Sequence, residues 1–134
     1  MAENYSYVPL DLAMKFEKLA AKRGVSRVAR GVTRSTQSEG GFFQVAKRVS
    51  GNRDKLKQLP IKKNSQQTWW DRRNNFCKRH RGQMLVRREP TVEQSGPYKG
   101  TPTRRELGLI MWMCSNISNE ELTKMLPTVE NLSK

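Results

Sequence analysis

Histidine, cysteine and, over half the chain, acidic residues are scarce in this sequence, and each scarcity excludes something. One histidine, His80, and two cysteines, Cys77 and Cys114, in 134 residues are too few soft ligands for a four-ligand zinc site and rule out a disulfide-rich secreted scaffold. Cys77 and His80 lie three apart, which gives half a metal site at most, so no metal or other cofactor is expected. A single disulfide is open to the two cysteines, but no pattern asks for it. No run approaches the roughly 18 to 20 apolar residues that cross a bilayer. The start MAENYSYVPLDLAMKFEK lacks the basic stretch and apolar run of a secretory signal. These absences predict a protein made and used inside a cell, without a membrane partner.

Catalytic signatures are missing as well. There is no glycine-rich phosphate loop, no paired acidic motif of the metal-nuclease type, and a single histidine to serve as base. The sequence therefore predicts a protein that is not an enzyme. Its 35% hydrophobic content predicts a modest core within one small domain.

What the chain has is positive charge, and it is concentrated. Between Lys22 and Arg88, 19 Lys and Arg face only Glu39, Asp54 and Asp71, whereas residues 1–21 and 89–134 are each close to neutral. A block of like charge repels itself in a compact state, and the usual partner that relieves the repulsion is a polyanion. The phosphate backbone of DNA or RNA is the expected partner.

Periodicity predicts a mainly α fold: a small irregular helical domain of four or five short helices joined by long basic loops. Residues 1–23 form an N-terminal helix on Leu12, Phe16, Leu19 and Ala20, stopped at Gly24. Residues 24–67 are a basic, loop-rich segment. Within it Gly31 interrupts any helix-turn-helix after the GVS triplet, a short helix spans 41–49, and residues 51–67 are a connector. Residues 68–126 make the helical core. There Thr68 with Asp71, Thr103 with Glu106 and Ser118 with Glu121 have capping-box spacing. The first box opens a helix over 69–81 ending at Gly82, and residues 83–101 follow as a loop in which 84–86 can pair as a strand. The second opens the most apolar helix, with Leu107, Ile110, Met111 and Cys114 on one face. The third opens a helix ended by Pro127, and 127–134 are a tail.

In the run WWDRRNNFCKRHRG, cations are interleaved with aromatics, a composition suited to phosphate contact with rings packed beneath. Arg72, Arg73, Lys78, Arg79 and Arg81 are the first expected contacts. Lys47, Arg48, Arg53, Lys55, Lys57, Lys62 and Lys63 form a second set, and Arg104 and Arg105 a third at a helix N-terminus. Trp69 and Trp70 are candidates for base stacking, although core packing is the more frequent use of such rings.

The stretches GVSRVARGVTRSTQSEGGFFQVAKRVSG, WWDRRNNFCKRHRGQ and GTPTRRELGLIMWM, over about residues 24–114, resemble small basic proteins of unknown function encoded by marine phages and large DNA viruses. The resemblance implies a viral origin and transfers no site. Two functions then compete: a non-enzymatic nucleic-acid-binding protein, which is favoured, and a virion structural component, an internal minor capsid or cement protein, whose basic arms hold neighbouring proteins or packaged DNA.

Overall fold

The computed structural model describes residues 6–32 and 41–134, so the part of the expected basic loop at 33–40 lies outside the described residues. The fold is mainly helical, as the periodicity predicts. Its elements are β1 (Ser6–Tyr7), α1 (Leu10–Met14), α2 (Glu17–Lys22), α3 (Phe42–Arg48), α4 (Arg53–Gln58), α5 (Trp69–Arg87), α6 (Arg104–Ile110), β2 (Cys114–Ser115) and α7 (Asn119–Leu132). The two short strands pair antiparallel, Ser6 opposite Ser115 and Tyr7 opposite Cys114.

The expected N-terminal helix is divided. Lys15 and Phe16 donate their backbone N–H to the carbonyls of Leu12 and Ala13, three residues back, and this tighter turn separates α1 from α2. Phe16 is fully buried with Ala13, Leu19 and Ala20 in the main core, which also takes in Phe43, Leu107, Ile110, Met111, Leu122 and Val129.

Helix α3 matches its predicted span and depends on one glycine. A Cβ at Gly41 would sit 1.8 Å from the Val28 carbonyl oxygen. The bare backbone there lets the 26–31 turn cross close enough for Ala29 to accept from the Phe43 N–H at 2.8 Å.

Three expected boundaries shift. The connector at 51–67 contains α4, capped by the Asn52 side chain on the Lys55 N–H. With Leu56 as its only buried residue, it leaves no apolar period to read. Helix α5 runs through Gly82 to Arg87 instead of stopping, so residues 84–86 are helical and form no strand. A glycine inside a helix costs only about 1 kcal/mol, and Met84, 3% exposed against Leu109 and Cys114, continues the inward face beyond it. The helix closes at Arg88, which takes a left-handed conformation. Pro127 likewise lies inside α7. Burial of Leu122 on one side of it and Val129 on the other holds both halves against the core, and the Lys22 ammonium donates to the Leu132 carbonyl at 2.7 Å.

Candidate functional site

Helix α5 crosses the segment that joins α6 to β2, and the functional candidates gather at this crossing. Thr68 and Asp71 exchange both bonds of a capping box, fixing where α5 begins and hence which side chains turn inward. Cys77, in mid-helix, is bonded to Cys114 at the start of β2, 37 residues away, with a Cα–Cα distance of 6.5 Å. Both cysteines are fully buried, among Met84, Leu109, Phe76 and Trp112. The Cys114 sulfur lies 3.4 Å from the Leu109 carbonyl oxygen; having no proton in the disulfide, it makes a contact and donates nothing. Held in the disulfide, Cys77 has no thiolate to offer a metal beside His80.

A ladder of rings runs beside the disulfide. Phe42 stacks on Trp112 at 4.9 Å, Trp112 on Phe76 at 4.4 Å, and Phe76 meets His80 at 4.2 Å in a tilted contact. Trp112 and Phe76 thus each pack against two other rings. Beyond the ladder, Arg105 donates to His80 Nδ1 at 2.6 Å, to Gln83 at 3.0 Å and to Glu89 at 3.0 Å. A guanidinium can only donate, so Nδ1 accepts and the imidazole proton sits on Nε2. Burial, followed by the Arg105 and Arg79 charges, pulls the His80 pKa below its usual value, against an opposing pull from Glu89.

Beneath the ladder, Glu106 is a fully buried carboxylate. It accepts from Ser115 Oγ at 2.8 Å, Asn116 N at 3.0 Å and Asn116 Nδ2 at 2.7 Å. Burial raises its pKa, while these bonds and Arg81 act in the opposite direction. The capping box expected of Thr103 and Glu106 is half made: the Thr103 hydroxyl accepts from the Glu106 N–H, but the carboxylate turns inward to hold β2.

The expected phosphate contacts are divided between structure and surface. Arg73 is 3% exposed and donates to the carbonyls of Trp112 at 3.2 Å and Met113 at 2.7 Å, with its guanidinium 4.6 Å over Trp70. Arg81 donates to Asn116, and Arg53 lies 4.6 Å over Tyr7. Lys47 pairs with Glu17 at 3.0 Å, and Arg104 donates to the Arg23 carbonyl. Arg48, Lys55, Lys57, Lys62, Lys63, Arg72, Lys78 and Arg79 are exposed. Arg104 and Arg105 share a depression with Glu89 and Glu93, so its charge is mixed. Trp69 and Trp70 are half-buried against Phe42 and Tyr7, packed where base stacking had been considered.

The disulfide is what the sequence reading missed. Its signal was the placement of Cys77 beside Phe76 on the apolar side of α5 and of Cys114 at the end of the most apolar helix, which puts both sulfurs in the core. Among the described residues no helix is long and apolar enough to cross a membrane. No curated protein matches the chain. One family model does, over residues 7–131: the Mimivirus sulfhydryl oxidase R596-like, C-terminal domain. That match upholds a viral family, though not specifically the small basic proteins of marine phages and large DNA viruses that the resemblance named. It overturns the expectation of a non-enzymatic nucleic-acid-binding protein, because the family is named for an enzyme of thiol chemistry. Some of the cations that suggested nucleic acid, Arg73, Arg81 and Arg105 among them, bond within the protein. With the match covering nearly its whole length, the chain belongs to the Mimivirus sulfhydryl oxidase R596-like C-terminal domain family.

Proposed function

We propose that the chain works in protein thiol oxidation, as the C-terminal kind of module that its family's description assigns to a sulfhydryl oxidase. In that reaction two client thiols form one disulfide, two protons are released, and two electrons pass to an acceptor. The observation that carries the reading is the covalent pairing of the only two cysteines in the sequence, Cys77 and Cys114, in a member of that family.

Burial defines what this disulfide does. Exchange requires a thiolate to reach one sulfur and displace the other, and here both sulfurs lie under Phe76 and Trp112. At rest the bond is a shielded cross-link between α5 and β2. The module's contribution to oxidation is then to hold the polypeptide whose thiols are being oxidised.

The test is binding of a reduced, unfolded client protein and of the same client with its disulfides formed, followed by anisotropy, with the Cys77–Cys114 bond checked by mass spectrometry. Preference for the reduced client with the bond intact is the expected result. Failure to distinguish the two forms would remove the reading. Loss of the Cys77–Cys114 bond in step with client oxidation would keep thiol oxidation but route the electrons through this disulfide.

A further inference from the structure

The outward side of α5 carries two adjoining depressions. One, of about 360 Å³, is lined by Gln67, Arg72, Asn75, Phe76, Arg79 and Trp112. The other, of about 620 Å³, shares Asn75 and Arg79 with it and continues past Lys78 and Gly82 to Val86. The side chains of Arg72, Lys78 and Arg79 make no ion pair or hydrogen bond among the described residues, and no acidic residue lines either depression. Nothing lies within 4 Å of a Cβ placed on Gly82. At the far end Val86 is 84% exposed and its neighbour Leu85 70%.

We propose that this face docks an acidic polypeptide segment of a partner protein, carboxylates against Arg72 and Arg79 and an apolar side chain against Val86. Charge complementarity selects the occupant: convergent guanidinium groups recognise carboxylates in a planar, bidentate way. The rings at the near end favour the same class. Phe76 and Trp112 each already pack against two other rings, which leaves less ring surface on which a nucleobase could stack. The apolar patch at Leu85 and Val86 fits a protein segment and has no counterpart in a phosphate backbone. At Gly82 the absent side chain lets a partner backbone come close. From Arg72 to Val86 the helix advances about 21 Å at 1.5 Å per residue, a span that an extended segment of about seven residues covers.

The inference does not depend on the thiol reading, and its probe contains no cysteine. A labelled peptide of about a dozen residues, alternating Glu with Leu, is titrated with the full chain by anisotropy, beside the same peptide with Gln for Glu and a single-stranded DNA of similar length. The expected result is saturable binding of the Glu peptide that weakens with salt and is about tenfold tighter than for the Gln peptide. Arg72→Ser with Arg79→Ser, both at exposed positions, lowers it by about tenfold with an unchanged circular dichroism spectrum. Val86→Ser lowers it by about threefold. Equal affinity for the Glu and Gln peptides, full affinity in the double arginine variant, or tighter binding of the DNA would each overturn the proposal.

Discussion

On the inner side of α5, Arg73 and Arg81 bond to Trp112, Met113 and Asn116, and Cys77 is bonded to Cys114. On the outer side, one residue away from Arg73, Arg72 stands exposed, and Lys78 and Arg79 follow it. The two sides have nearly the same basic composition and opposite functions. Inside, Arg73 donates to the backbone carbonyls of Trp112 and Met113 and Arg81 to the Asn116 side-chain oxygen; Met113 sits there in a left-handed conformation with φ of 59°, and Val8 also donates to its carbonyl. Outside, the charge faces solvent and is available to a partner. A count of cations along the sequence therefore overstates how many can meet a ligand.

The comparison breaks most severely if the inner cross-link is removed. Closing a loop of this length lowers the entropy of the unfolded chain, so the Cys77→Ala, Cys114→Ala double variant is expected to lose about 4 kcal/mol, read as a shift in the denaturation midpoint. A loss under about 1 kcal/mol would show that the crossing holds without the bond. Next comes Arg73→Ser, which strands the Trp112 carbonyl and leaves the Met113 carbonyl with its Val8 bond alone, an expected loss of about 1 to 3 kcal/mol. The matching outer change, Arg72→Ser, is expected to stay within about 0.5 kcal/mol of the parent. Similar losses at both positions would end the distinction between the two sides.

Legibility in the sequence followed the same division. Local signals survived: the capping spacing at Thr68 marked the start of α5, Phe42 to Arg48 formed the predicted α3, and the apolar face of Leu107, Ile110 and Met111 lies in the core. What failed depended on tertiary partners. Gly82 and Pro127 read as stops because a helix alone would end there; packing of Met84 and Val129 carries the chain onward. The apolar placement of Cys77 and Cys114 sends both sulfurs to the core, but their pairing across 37 residues comes from the crossing of α5 over β2. Arg72 and Arg73 were indistinguishable as letters, and a helical turn of 100° per residue sends one to solvent and the other to the Met113 carbonyl.

The subtlest test lies at His80, on the border between the two sides. Its Nδ1 accepts from Arg105, and its pKa is depressed first by burial and then by Arg105 and Arg79, with Glu89 pulling the other way. Because the unfolded chain binds a proton at this site more readily than the folded one, His80 contributes stability that is fully present above its unfolded pKa, about 6.5. That stability is lost as pH falls through the lower folded value. Glu106 has the opposite sign: its raised pKa gives a contribution that disappears as pH rises. Whole-protein pH curves therefore mix the two, and a His80→Gln variant separates them. Between about pH 7.5 and 5, across the unfolded histidine pKa, the parent should lose more stability than the variant in paired urea denaturations. Parallel losses would mean that protonation leaves the Arg105 contact undisturbed, and His80 would then belong with the solvated outer cations.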